Sequence, residues 1–430
     1  MTVSPPPELV TAVAGVWSLP AQTELNMLTA SAEFRTLIQY CIQHYDAMVA
    51  GQFSEFPFVR ALRTLGAPCF FTPEQHYLFS DPLEAARLLH HELDKKKTTK
   101  IYLCPLDCAA NIQPATFGHA EINMFTPPEL RQLVNFAQLS RRYPHKTDDI
   151  DRLTRFTWLV VREEVNVERE IPARTYRFLR DGFKDDYGAI TPYEHRYPKA
   201  VEDAIFALLL APWESWREEI NIEWRAFTIP WVYTVENDIF ADQQALPGAE
   251  TLTWDYQAFP DGHGKVIDRE IPLELPLSHD DGLQPWLAQQ QLDNIPLAIH
   301  NGLINEAARH HFVKAFLSQG IDEFLAHMIV IDACMGERRA TSMQLKQRLA
   351  GVLGDLSVVE EMNALYHLRS EYVHGREMTT ISHQHKNRAR ILARRMLAEI
   401  VAIADREEMS SRRAFLDAMQ KKGGGLKSPA

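Results

Sequence analysis

From Ile304 to the end of the chain, apolar residues recur at three- and four-residue spacing, and no β-type run interrupts them. The periodic segments are Ile304–Leu317, Ile321–Met335, Met343–Leu353, Ser357–His374 and about Gln384–Ala404, with a shorter one near Arg413–Met419. Such spacing gives each helix one apolar stripe. Stripes on consecutive helices joined by short connections can bury one another as a bundle. The pattern predicts an all-α helical bundle over 295–420. The tail 421–430, KKGGGLKSPA, is too polar and glycine-rich to pack and is expected to be a flexible tail.

The preceding 294 residues mix two periodicities, which predicts an α+β region of mixed sheet and helices. Phe34–Met48 and Pro82–Leu93 have helical spacing. Lys100–Leu103, Phe156–Val161 and Trp224–Val235 are rich in β-branched and aromatic residues, as strands are. Phe117–Phe125, FGHAEINMF, alternates as one strand would. A charged stretch at 141–152, RRYPHKTDDIDR, is a candidate boundary between two subdomains. At 430 residues, two or three domains are expected.

Composition excludes several classes. The N-terminus has no basic region followed by an apolar run, so it does not read as a signal peptide. The longest apolar run, Ala204–Trp213, is too short to cross a bilayer. A cytoplasmic protein with no membrane partner is expected. The five cysteines (Cys41, Cys69, Cys104, Cys108 and Cys334) are too few and too scattered for a disulfide framework. Cys104 and Cys108 lack the second pair that a zinc site needs, so free thiols are expected and no metal or other cofactor. Net charge is −12, yet the stretch from Pro296 onward has 19 basic and 15 acidic residues. The C-terminal third is thus the part suited to a polyanion.

The segment LYHLRSEYVHG, Leu365–Gly375, carries the sharpest chemical signal. Val358, Met362, Leu365 and Tyr372 make one side of a helix, and Arg369 falls in the same stripe. A guanidinium among apolar neighbours needs a partner or must line a cleft. Asp332 sits in the apolar stripe of the Ile321–Met335 segment, with Met328 and Met335 as its helical neighbours. A carboxylate–guanidinium pair across the bundle is therefore expected. His374 stands just before Gly375, a residue able to end a helix in the left-handed conformation. There it can swing toward the arginine. An Arg-x4-His spacing arises about once by chance in a chain of this composition. Its weight comes from the bundle, the helix end, the glycine and the acid on another helix.

The pattern Leu365-Tyr366-x-x-Arg369-Ser370-x-x-x-His374-Gly375 resembles the signature of HEPN domains, particularly their ApeA-like branch. The segment Ile331–Asp355 also resembles that branch, with an acid on an early helix before an Arg- and Leu-rich one. Asp332 stands where that branch is expected to have Glu. The resemblance covers about Ile299–Arg406. It implies a four- or five-helix domain that dimerises and brings two Arg-x4-His motifs to one cleft. It also implies a metal-independent endoribonuclease in anti-phage defence, toxin-like or RNA-processing systems, acting on tRNA or mRNA. Some members of the family only bind.

The chemistry is consistent with that implication. RNA carries its own nucleophile, the 2′-OH. Histidine titrates near neutrality and suits the proton transfers, while arginine stays charged and can clamp phosphate. The catalytic candidates are Arg369, His374 and Asp332. Ser370 is a candidate hydrogen-bond donor to RNA. Arg376, Lys386, Arg388, Arg390 and Arg394 form a candidate basic rim for phosphates, for which a solvated helix face is the alternative. His383 and His385 in SHQH read as a surface loop. By elimination, the acidic region before 295 is a candidate sensor for a phage-derived or other trigger. The competing reading is a non-catalytic binding or assembly module in which Arg369–Asp332 is a structural ion pair.

Overall fold

The computed structural model describes residues 4–48, 55–109, 112, 114–146, 149–176, 197–217, 222–260, 266–275, 294–338, 340–373, 381–406 and 409–426. The chain forms a mixed sheet-and-helix part followed by a helix-rich C-terminal bundle. It divides into two compact units. One comprises Met1–Pro105, Met124–Thr191 and Pro230–Leu252; the other comprises Leu106–Asn123, Pro192–Ile229 and Thr253–Ala430.

In the first unit, the helices Pro7–Trp17, Ala32–His44, Glu55–Leu65 and Pro82–Asp94 bury Leu9, Val13, Phe34, Leu37, Phe58, Leu62 and Leu89 in one core. Strands Lys97–Leu106 and Tyr233–Glu236 pair antiparallel, Lys100 opposite Glu236 and Leu103 opposite Tyr233. Strand Thr157–Asn166 flanks Lys97–Leu106 on the other side. The 141–152 stretch divides nothing. Arg142 donates to the carbonyls of Ile239 and Ala241 at 3.1 and 2.9 Å, and Arg141 to that of Leu78 at 3.0 Å. Its charges therefore tie the unit together rather than mark a linker.

The second unit reaches further back along the chain than a boundary at 295 allows. The Lys199–Leu209 helix packs on Glu306–Leu317 through Phe206 and Phe312, whose rings lie 5.8 Å apart. Arg309 donates to Asp203 at 2.6 Å beside this contact. The apolar run at 204–213 is thus the buried C-terminal half of this helix and the four residues after it. Among the described residues the unit's other helices are Asn294–His300, Gly320–Met335, Ser342–Leu353, Ser357–Val373, His383–Ala402 and Arg412–Gly425. We refer to the last five as the acid, linking, motif, basic and terminal helices.

Three local expectations are corrected. Trp224–Val235 is not one strand: Ile222–Arg225 pairs with Glu214–Arg217 in the second unit, and Tyr233–Glu236 belongs to the first. Pro230, which has no N–H for a ladder, lies in the break. Phe117–Phe125 is a hairpin, with Ala115–Phe117 and Ala120–Asn123 paired across a two-residue turn. Gly118 supplies the positive φ of 54° that such a turn requires. The tail is also helical through Gly425. Gly423 lies so close to the linking helix that an added Cβ would stand 1.9 Å from the Gln347 carbonyl oxygen. The glycines permit this helix crossing rather than prevent a helix.

Cys41, Cys69, Cys104 and Cys334 are buried and Cys108 is half-buried. Among the described residues no helix is long and apolar enough to cross a membrane.

Candidate functional site: an arginine–carboxylate–tyrosine cluster at a cleft

Asp332 lies in the last turn of the acid helix. Carbonyl groups concentrate there, so a carboxylate at this end opposes the helix dipole and needs cations nearby. The motif helix supplies one. Arg369 donates from Nη1 to Asp332 Oδ2 at 2.7 Å. Tyr366, one turn earlier on the same face, donates its hydroxyl to Asp332 Oδ1. The Arg369 guanidinium carbon also stands 5.9 Å from the Tyr366 ring centroid. The carboxylate therefore divides its two oxygens between a cation and a phenol.

The pair lies at an edge rather than in the core. The Arg369 and Asp332 side chains keep 33% and 30% of their exposure, so solvent screens part of the attraction. Burial, then the hydrogen bond to Asp332, raises the Tyr366 pKa, so its hydroxyl remains a donor. Lys346 of the linking helix stands 5.7 Å from the same ring and donates to Asn363. Val358, Met362 and Leu365 are buried as expected, whereas Tyr372 is half-buried and Val373 is 61% exposed.

Asp332 and Tyr366 line an open cleft of about 740 Å³. Its other walls include Glu337, Arg338, Thr341 and Arg412. Arg348 is buried and donates to Glu337 at 3.2 Å and to the Met335 carbonyl at 3.1 Å. Arg412, at the start of the terminal helix, donates to the carbonyls of Ala333 and Gly336 at 2.6 and 2.9 Å.

The structure thus brings Arg369 and Asp332 together. Ser370 is exposed on the motif helix and Arg388 on the basic helix. His374 and Arg376 lie outside the described residues. The proposed basic rim needs correction at three positions, because Lys386, Arg390 and Arg394 are not free surface cations. They recur every four residues along one side of the basic helix and meet carboxylates there. Glu214, Glu223 and Arg225 share one face of the Glu214–Arg217/Ile222–Arg225 hairpin, and Glu323 comes from the acid helix. Lys386 donates to Glu223 at 2.6 Å, Arg394 to both Glu214 oxygens at 2.9 and 2.7 Å, and Arg390 to Glu223 and Glu323. Arg225 donates to Glu323 at 3.1 Å. Lys386, Arg390 and Glu323 are 6%, 2% and 0% exposed, so this is an interior clamp. Burial alone would raise the Glu223 carboxyl. The Arg390 charge and the hydrogen bonds from Lys386, Arg390 and His383 outweigh it and bring the pKa down to about 2. His383 and His385 form no surface loop. Both lie in the first turn of the basic helix, where His383 bonds Glu223 at 2.7 Å and Ser382 caps the His385 amide.

Tyr366, Arg348 and Arg412 were not assigned site roles from sequence. The three-residue spacing of Tyr366 and Arg369 is a signal that reasoning on one helix face could have used. Arg412 gives no such signal, because its position depends on how the terminal helix crosses the bundle.

Among the described residues no three His, Cys, Asp or Glu side chains are grouped as metal ligands would be. Compared with known proteins, the chain matches no family model, no curated protein and no solved structure.

Proposed function

We propose that this chain is a HEPN-type endoribonuclease that cleaves RNA without a metal, using Arg369 and His374. The observation that carries the reading is Arg369 held by Asp332, a carboxylate that lines an open cleft and whose second oxygen is taken by Tyr366, itself a lining residue. A guanidinium held in this way is oriented before a substrate arrives. It can stabilise a phosphorane without reorganising as charge develops.

In the reaction, the substrate 2′-oxygen loses its proton and bonds to the adjacent phosphorus. The bond from phosphorus to the 5′-oxygen breaks, and that oxygen takes up a proton. The products are a 2′,3′-cyclic phosphate and a 5′-hydroxyl. His374 transfers the protons, Arg369 holds the non-bridging oxygens, and Asp332 with Tyr366 positions Arg369. If two chains pair through the bundle, as the resemblance implies, the acid and base histidines come from different protomers. A tRNA or an mRNA is the substrate class. The region before 295 is the place for a trigger, phage-derived or otherwise.

The test is incubation of the full chain with total RNA in the presence of EDTA, beside His374→Ala and Arg369→Ala. The wild type should yield cyclic-phosphate ends, and each variant should lose about 100-fold or more in rate. Identical RNA profiles for all three, with a phage lysate added as trigger, would remove the proposal.

The partial exposure of the pair also bears on the alternative, a binding module with a structural Arg369–Asp332 bridge. A pair one-third exposed contributes only about 0–1 kcal/mol. That is little for a bond retained for stability alone.

A further inference from the structure

We propose that Arg412 and Arg338 form a phosphodiester-binding subsite beside Arg369, a role expected from sequence for the basic helix. This rests on the endoribonuclease reading. It concerns where the strand is held, not how it is cut.

The inference begins with what the clamp removes. Lys386, Arg390 and Arg394 have their charges matched by Glu214, Glu223 and Glu323, and two of the three cations are almost fully buried. They cannot reach a polyanion without breaking an interior network. Of the expected rim on the described part of the basic helix only Arg388 is left exposed, so a nucleic-acid site on this unit needs further cations from elsewhere.

The cleft supplies them. Its two lining carboxylates each have an arginine of their own: Asp332 has Arg369, and Glu337 has Arg348. Arg412 and Arg338 also line the cleft, and among the described residues neither has a carboxylate partner. The four cations therefore exceed the two anions. Arg412 is set rather than loose. Three main-chain carbonyls, of Gly302, Ala333 and Gly336, hold its guanidinium at 3.4, 2.6 and 2.9 Å. Carbonyl dipoles orient that charge without cancelling it. Ala333 follows Asp332 in the acid helix, so Arg412 is anchored one residue from the carboxylate that positions Arg369. Arg338 is exposed on the loop after the acid helix, where a long cation can close on a bound strand at little cost. A guanidinium fixed by carbonyls and an exposed one along a groove suit the repeated phosphates of a single strand, with no requirement for a particular base.

The probe is a fluorescently labelled single-stranded 2′-O-methyl RNA, which has no nucleophile and so reports binding without cleavage. Its affinity is read by anisotropy at several salt concentrations for the full-length wild type, Arg338→Gln, Arg412→Gln and Arg395→Gln. Arg395 is exposed on the basic helix and lies outside the cleft lining. Loss of one phosphate contact should reduce the slope of log affinity against log salt by about 0.7 for a single strand. We expect that change in Arg338→Gln and Arg412→Gln, with affinity several-fold weaker at low salt, and none in Arg395→Gln. Arg412→Gln also removes the carbonyl contacts, so its melting temperature is measured alongside; Arg338→Gln has no such complication. An unchanged slope and affinity in Arg338→Gln, with RNA cleavage intact in the wild type, overturns the subsite and leaves the nuclease standing. Arginine-dependent binding by a wild type that cuts no RNA supports the subsite and removes the nuclease.

Discussion

Replacing Asp332 with Asn separates the catalytic reading of the cluster from the structural one. Asparagine keeps the size of aspartate and an oxygen that can accept from Tyr366, but it removes the charge facing Arg369. Because the Arg369 and Asp332 side chains keep 33% and 30% of their exposure, the stability at stake is that of a partly solvated pair, about 0–1 kcal/mol. Each kcal/mol moves the melting temperature of a unit of 150–250 residues by about 2–4 °C, so a shift of no more than about 4 °C is expected. The effect on activity should be larger. Without the carboxylate, Arg369 is no longer fixed, and misplacing a transition-state group by about 1 Å can cost about 100-fold. Initial rates on 5′-labelled RNA, compared per folded molecule, should therefore fall about 10- to 100-fold while melting scarcely changes. Asp332→Asn combined with Arg369→Ala should be no slower than Arg369→Ala alone, because the carboxylate acts only through the guanidinium. A variant that loses several kcal/mol of stability but cleaves at the wild-type rate would refute the reasoning and make the pair a packing device.

Three further outcomes test the fold around the site. Gly423→Ala puts a methyl group 1.9 Å from the Gln347 oxygen and should destabilise by about 1–3 kcal/mol, whereas Gly424→Ala meets nothing within 4 Å and should stabilise by up to about 1 kcal/mol; denaturant melts that place Gly423→Ala level with Gly424→Ala would contradict the observed crossing. Glu223 has its pKa lowered to about 2 against an ordinary 4.5, so the stability of the clamp is present above about 4.5 and is lost as pH falls toward 2; Glu223→Gln should be less stable at neutral pH and flatten that acid limb in fluorescence-detected unfolding. Glu92, in the other unit, is displaced the opposite way: burial first, then Asp238, raises it to about 7, so its stabilisation is full below 4.5 and disappears as pH rises through 7, and unfolding of Glu92→Gln should show a weaker loss over that window.

How far the sequence could be read depended on where each interaction begins and ends. Two helices of the bundle were legible to within a residue, because periodicity and burial coincide along a single segment: Gly320–Met335 against an expected Ile321–Met335, and Ser342–Leu353 against Met343–Leu353. The Arg369–Asp332 contact was legible because each charge interrupts its own apolar stripe, and two such interruptions of opposite sign imply one another. The basic helix misled for the complementary reason. Lys386, Arg390 and Arg394 look the same in sequence whether they face water or carboxylates, and their partners Glu214 and Glu223 lie more than 160 residues away on a hairpin. The residues 421–425 misled likewise, since glycine lowers helix propensity locally yet allows the close crossing at Gly351 and Gly423 that seats the terminal helix. That crossing matters for the site, because the terminal helix begins with Arg412. The cleft is therefore completed by a residue whose position is set by two glycines on different helices, and a helical periodicity cannot reveal it. Charge patterns along one element locate candidate cations; which of them stay available to a ligand is decided only when every carboxylate folded against them has been counted.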